Sequence, residues 1–345
     1  MDIEQLHDIA TRMVASGKGI LAADESSRTI AKRFAAVGIE STSDSRRDYR
    51  ETLFRTAEAM QSFISGVILF DETIRQQAKD GTPLVALIEK AGSIPGIKVD
   101  EGAKPLALAQ DESVTEGLDG LRERLMEYHR LGARFAKWRA VIDIGRAGDT
   151  SIPSAYCIDA NAQALARYAA LCQEQNLVPI VEPEVLMDGD HDIHRCFEVT
   201  EFTLRAVFAQ LYLHRVRLEG VILKPNMIVP GKKTTKQASP EKVAAMTLKC
   251  LRRAVPAAVP GIMFLSGGQS DEEATANLNA INAQRSDLPW SVSFSYGRAL
   301  QSAPLKAWSG RAENEPAAQK AFLHRSRMNG LAQQGRWSRA LETES

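Results

Sequence analysis

The sequence predicts an α/β fold, a (β/α)8 barrel of eight parallel strands with extra N- and C-terminal helices. Eight short apolar runs rich in β-formers begin near Ile20, Val67, Ile97, Phe135, Val178, Val221, Ile262 and Val292. Their starts lie 47, 30, 38, 43, 43, 41 and 30 residues apart. That is the rhythm of strand, loop, helix, loop; an all-β protein repeats every ~8–12 residues. The runs are also nearly continuous in apolar residues, as parallel strands are when helices cover both faces of the sheet. A doubly wound open sheet is the alternative assembly of the same elements.

Helix signals fall between these runs. Ser239 precedes Pro240 and Glu241, an N-cap followed by proline at the first helical position, where its missing N–H costs nothing. Ser270 with Glu273 three residues on is a capping box. Residues 160–175 are rich in Ala and Leu at helical spacing, and 192–217 form a further long helical candidate. The last part, roughly 310–345, reads as one more helix from Pro316 to about Gln333 and a short polar tail. No Pro/Ser-rich linker, repeat or low-complexity tract interrupts the chain, so 1–345 is expected to form a single domain.

Composition excludes several classes. With 345 residues and 44% hydrophobic side chains, the chain can build a large core, so disordered and fibrous classes drop out. Its 43 Lys and Arg balance 43 Asp and Glu, which argues against a nucleic-acid binder driven by bulk positive charge. Apolar runs stay far below the roughly 20 residues of a membrane span, and acid stands where a signal peptide carries base, so a cytoplasmic location is expected. Cys157, Cys172, Cys196 and Cys250 form no Cys-x-x-Cys pair and read as buried or half-buried free thiols.

In a barrel, the side chains at the C-terminal ends of the strands line the site. Charged residues gather there: Asp24 and Glu25 after the first run, Lys98 after the third, Lys137 and Arg139 in the fourth, Glu182 and Glu184 in the fifth, Lys224 at the end of the sixth. One such residue is ordinarily a structural ion pair; agreement between strands points to chemistry. Ser266-Gly267-Gly268 after the seventh run can offer bare backbone N–H groups to a phosphate, and Ser295, Gly297 and Arg298 follow the eighth. Alone, the glycine pair is more simply a turn.

Amine catalysis is the second chemistry. A lysine attacks carbonyls when neutral, and burial or a nearby cation favours that form. Lys224 as nucleophile, Lys137 as cation and Glu182 or Glu184 as proton carrier make an imine-forming set. Residues 188–194 (DGDHDIH) are rich in metal-ligand types, but they fall where a helix should start, and Asp190 or Asp192 reads as its cap. The basic loop 231–236 (GKKTTK) reads as a solvated loop at the rim of the site.

The segments GKGILAADES (17–26), PGIKVDEG (95–102), FAKWRAVI (135–142), NLVPIVEPE (176–184), GVILKPNM (220–227), FLSGGQS (264–270) and FSYGRAL (294–300) closely resemble class I fructose-1,6-bisphosphate aldolases. The resemblance extends over about residues 4–335 and implies a TIM barrel, reversible aldol cleavage of fructose 1,6-bisphosphate, no cofactor and no metal. It implies that Lys224 forms a Schiff base with the C2 carbonyl and that Glu182 is the acid/base of carbinolamine formation and dehydration. It assigns Asp24 to the C4 hydroxyl proton and to holding Lys224, Lys137 to positive charge at the reacting centre, and Glu184 to a supporting carboxylate. Arg139 beside Lys137 joins the substrate-binding residues. Ser266, Gly267 and Arg298, with Gly297 and Ser295, are implied to hold the C1 phosphate; Ser26, Thr29, Arg33 and Lys98 approach the other one. Thr29 replaces a common serine and keeps the hydroxyl. The resemblance also implies a homotetramer, with a sugar phosphate as the small-molecule partner and no nucleic acid or membrane. Animal members end in a tyrosine implicated in enamine proton transfer, whereas residues 337–345 contain none, so the protonation step is expected to differ. A Schiff-base enzyme for another phosphorylated ketose and a non-catalytic scaffold of the same fold are the alternatives.

Overall fold

The computed structural model describes residues 1–148, 150–284 and 287–343. Eight strands close into a barrel: β1 (Gly19–Ala23), β2 (Ile64–Leu69), β3 (Ile94–Lys98), β4 (Phe135–Ile142), β5 (Val178–Val185), β6 (Ile222–Leu223), β7 (Gly261–Phe264) and β8 (Ser291–Tyr296). Each pairs in parallel with its neighbours in sequence, and β1 closes the ring on β8. All eight expected runs are strands of this barrel, and the open-sheet alternative falls away.

Strand side chains alternate between faces, so each strand sends every second residue inward. The lower interior is apolar: Ile20, Ile68, Ile94, Phe135, Ile180, Ile222 and Met263 form one buried cluster. The helix Ile3–Met13 plugs this end, adding Leu6, Ile9, Ala10 and Met13 to the same cluster. Phe135 is accommodated because its neighbours lack side chains. A β-carbon on Gly66 would lie 3.1 Å from the Phe135 ring, and one on Gly96 would overlap it. Those glycines, with Ser65 and Pro95, weaken the local strand signal, so β2 and β3 begin three residues before the apolar runs do. Outside, helices cover the barrel through a larger core in which Trp138 meets Tyr168 with ring centroids 5.6 Å apart.

Helix starts follow local capping chemistry. Ser239 accepts from the Lys242 N–H at the head of the helix Pro240–Ala254, and Ser270 and Glu273 complete their reciprocal box. The expected helix at 160–175 runs from Ala155 to Glu174 because Ser154 caps it earlier, and the one at 192–217 runs from Ile193 to Leu213. Two hairpins were not legible in the sequence, Ala103–Pro105 with Ser113–Thr115 and Gly145–Ala147 with Thr150–Ile152; their strands have three residues each. A helix spans Glu315–Gln333, and Glu342 beyond it accepts from Arg325 at 2.6 Å and Trp337 at 3.0 Å. Of the tail, residues 344 and 345 lie outside the described residues. All four cysteines are buried and unpaired.

Gly96→Ala should destabilise the fold by about 1–3 kcal/mol, the usual cost of overfilling a packed core. Denaturant midpoints check this, and Phe135→Leu in the same chain should recover part of the loss.

Candidate active site

The inward positions change character up the barrel. Two residues beyond Phe135 on β4 comes Lys137, then Arg139; on β5, Ile180 is followed by Glu182 and Glu184; beyond Ile20 and Ala22 comes Asp24. Lys224 follows Ile222 and donates its backbone N–H to Val181 O at 2.8 Å, continuing the β5 register. The strand period alone thus stacks a charged layer on the apolar floor.

Four of these groups form a chain. Lys224 Nζ lies 3.1 Å from Glu182 Oε1, Lys137 Nζ lies 3.3 Å from Glu182 Oε2, and Lys137 Nζ lies 2.7 Å from Asp24 Oδ2. All four residues are buried, at 3–9% exposure, so the charges act with little screening. Asp24 Oδ2 and Glu182 Oε2 both face the Lys137 ammonium as ionic contacts. Asp24 pairs with Lys137 and not directly with Lys224, so Lys137 links it to the rest of the chain.

Burial by itself would raise the Asp24 carboxyl, but the charges of Lys137 and Lys224 outweigh it and bring Asp24 to about 2. Burial likewise opposes the Glu182 anion, yet Lys137 and then Lys224 hold it below its ordinary value. For Lys137, burial disfavours the cation while Asp24 and Glu182 restore it, and the net effect lies well above an ordinary lysine. Lys137 is thus a cation held between two carboxylates. Glu182 is also the carboxylate nearest the Lys224 amine, at 3.1 Å.

Two clusters of anion-binding groups flank this chain. On one side a cavity of about 710 Å³ is lined by Asp24, Ser26, Thr29, Arg33, Lys98, Lys137 and Arg139. Ser26 caps the helix Ser27–Ala35, and its hydroxyl lies 3.1 Å from that of Thr29, so two hydroxyls stand at a helix N-terminus. On the other side Ser266 and Gly267 follow β7, Ser295 lies near the end of β8, and Gly297 and Arg298 follow it. Gly267 adopts φ 55°, a left-handed turn that glycine takes readily. Arg298 donates to the Gly267 carbonyl. Burial and then the neighbouring Arg33 press the Arg298 guanidinium below its ordinary value. Glu184 ion-pairs with Arg139, and a β-carbon on Gly267 would lie 3.9 Å from the Glu184 carboxylate, so Glu184 stands between the two clusters. The Asp188–His194 segment behaves as a cap: Asp192 accepts from Arg195 N–H at 2.8 Å. Among the described residues no group of three or more His, Cys, Asp or Glu could hold a metal ion.

The sequence model of class I fructose-bisphosphate aldolase, a glycolytic family, matches residues 5–345. A probable class 1 fructose-bisphosphate aldolase of Xanthomonas campestris is 60% identical over 338 residues, which is 98% of this chain and 99% of that one. The chain belongs to the class I fructose-bisphosphate aldolase family. Fructose-bisphosphate aldolase C of Rattus norvegicus is 52% identical over 97% of this chain and 91% of its own length. The fructose-bisphosphate aldolase of Plasmodium falciparum, solved with TRAP and a small-molecule inhibitor, superposes with a TM-score of 0.94. It is 47% identical and covers 97% of this chain and 96% of its own.

Relative to what the sequence suggested, this aldolase-family site has further supporting members. Asp100 lies 2.8 Å from Lys98 and accepts from the Arg139 backbone N–H at 3.2 Å, tying β3 to β4. Gln301 donates at 2.7 Å to both Ala22 O and the Glu25 carboxylate, while the buried Arg50 donates to Glu25 O at 2.9 Å. Glu25 in turn grips Arg33. Asn226 accepts from Val185 N–H at 3.1 Å and donates to Thr200 at 3.0 Å, anchoring the segment that carries Lys224. Asp100, Glu25 and Asn226 stand within the motifs quoted above and could have been found from their charge or polarity at strand ends. Arg50 and Gln301 lie on helices distant in sequence and carry no local signal.

Asp24 has a folded-state pKa below its ordinary 3.8, at about 2. Its stabilisation is therefore complete above about pH 4 and lost as the pH falls toward 2. Asp24→Asn should cost about 1–3 kcal/mol at neutral pH and show a flatter acid limb in urea unfolding between pH 2 and 5. A variant as acid-sensitive as its parent would contradict this.

Proposed function

We propose that this chain cleaves fructose 1,6-bisphosphate reversibly to glycerone phosphate and glyceraldehyde 3-phosphate through an imine on Lys224. Membership of the aldolase family makes it a carbon–carbon lyase. The observation that carries the mechanism is the buried chain Lys224–Glu182–Lys137–Asp24, with contacts of 3.1, 3.3 and 2.7 Å.

The steps follow from that chain. Lys224 loses a proton to Glu182, and its nitrogen attacks the C2 carbonyl. Glu182 returns that proton to the former carbonyl oxygen, giving the carbinolamine, then carries a second proton from the carbinolamine nitrogen to the same oxygen, which leaves as water, and a protonated imine forms. Asp24 takes the C4 hydroxyl proton; the C3–C4 bonding pair moves toward the iminium, which becomes an enamine as the aldehyde departs. Lys137 stabilises negative charge developing near C4. The enamine gains a proton at C3, and water releases glycerone phosphate and regenerates the amine.

The phosphates supply remote binding energy that fixes C3–C4 over these groups. Ser266, Gly267, Ser295, Gly297 and Arg298 take the C1 phosphate, and Ser26, Thr29, Arg33, Lys98 and Arg139 the other; the two anion-binding clusters flanking Lys224 support this reading. Glu184 holds Arg139 in place. The working form is a cytoplasmic homotetramer. Phe202 and Leu213, 53% and 68% exposed and about three turns apart on one helix, support an apolar contact with another copy. Among the described residues no helix is long and apolar enough to cross a membrane.

Borohydride added with fructose 1,6-bisphosphate should inactivate the enzyme and add mass to the peptide holding Lys224; no adduct would sink the proposal. Lys224→Met should abolish both adduct and turnover. Glu182→Gln should lower kcat about 10²- to 10⁴-fold, the usual weight of a positioned acid/base. Chelator should leave the rate unchanged, since no step requires a metal.

A further inference from the structure

The basic loop after β6 is held where it can act. Three consecutive amides bond it to the loop after β5: Gly231 N–H to His191 O at 2.8 Å, Lys232 N–H to Met187 O at 2.8 Å and Lys233 N–H to Gly189 O at 3.0 Å. The backbone of Lys232 is therefore fixed although its side chain is exposed. That side chain reaches the turn after β7. A β-carbon on Gly268 would overlap Lys232 Cε and Nζ, so the glycine leaves the path the lysine occupies.

The same turn offers one amide that is held only weakly. Gly268 N–H donates to Met187 Sδ at 3.3 Å, and a thioether is a weak acceptor that a phosphate oxygen would displace. Arg298 already meets the turn at the Gly267 carbonyl. The other cations of the site have carboxylate partners: Lys98 has Asp100, Lys137 has Asp24, Arg33 has Glu25 and Arg139 has Glu184. Among the described residues Lys232 has no ion-pair partner. An ammonium laid against this turn beside Arg298, with no ion-pair partner of its own, is suited to an anion brought by the substrate.

We propose that Lys232 is a phosphate-binding residue of this aldolase, contributing with Arg298 and the Ser266–Gly268 turn to the C1-phosphate subsite. The inference rests on the reading given under Proposed function and extends it to a residue on a different loop. Because the C1 phosphate belongs to the glycerone phosphate half, the effect of Lys232 is confined to that half.

The test is the condensation direction, in which the two triose phosphates are varied separately with the full-length enzyme. Lys232→Gln should raise KM for glycerone phosphate roughly 3- to 10-fold, between the worth of an exposed ion pair and that of a charge-assisted hydrogen bond. KM for glyceraldehyde 3-phosphate and kcat should stay within about twofold. An unchanged KM for glycerone phosphate, or an equal rise for both trioses, would overturn the proposal. Borohydride trapping of the parent enzyme with fructose 1,6-bisphosphate runs alongside. An adduct on Lys224 with no change in the triose constants overturns the Lys232 assignment alone; no adduct overturns the aldolase mechanism and this inference with it.

Discussion

Two amines and two carboxylates from β4, β5, β6 and the end of β1 occupy one buried site, and the rest of the architecture serves that contact. Any of these groups, buried as an ion without its partners, would cost several kcal/mol. In sequence they lie at positions 24, 137, 182 and 224, so no local structure can bring them together. Only a closed ring of parallel strands places the four ends around one axis, and hydrogen bonding of β1 to β8 closes that ring. The mutual neutralisation of these charges then lets an otherwise apolar barrel tolerate them.

The apolar floor beneath the charges has its own role. Phe135, seated over Gly66 and Gly96, and the plug helix Ile3–Met13 seal one end of the barrel. Chemistry is thereby confined to the other end, where a buried amine meets little competing water and electrostatic interactions are strong. The outer supports divide the labour. Asp100 fixes Lys98 against β4, Glu184 holds Arg139, and Arg50 with Gln301 immobilises Glu25, which holds Arg33. Lys98, Arg139 and Arg33 are thus each held by a carboxylate, and a cation oriented in advance pays less ordering cost on binding an anion.

This arrangement explains how a chain with equal numbers of acidic and basic residues can serve a doubly phosphorylated sugar. The net charge of zero describes the whole molecule, while the mouth of the barrel concentrates Arg33, Lys98, Lys137, Arg139, Lys224 and Arg298 around one axis. Acids that balance them stand beside them, Asp24 and Glu182 against Lys137, Asp100 against Lys98 and Glu184 against Arg139. The aldolase family, to which the chain belongs over residues 5–345, is one in which such a balance is expected: the substrate is a polyanion and the reacting centre needs carboxylates as well as amines.

Much of this was legible in the sequence because it follows from short-range rules. The eight strands were found from apolar runs and their spacing, the caps at Ser239 and Ser270 from side-chain chemistry, and the charged layer from residues placed two apart in strands. Glu182 follows Ile180 inward whatever the rest of the fold does. The early starts of β2 and β3 were hidden because Gly66, Pro95 and Gly96 read as breakers locally, and only the Phe135 ring from a third strand explains them. Arg50 and Gln301 could not be read, since their partners at the end of β1 stand 25 and more than 270 residues away. The sequence by itself determined which residues face inward and what chemistry they can carry. The tertiary structure decided who pairs with whom, Asp24 with Lys137 and Lys232 with Gly268, because ion pairing and close packing depend on distances that only ring closure sets.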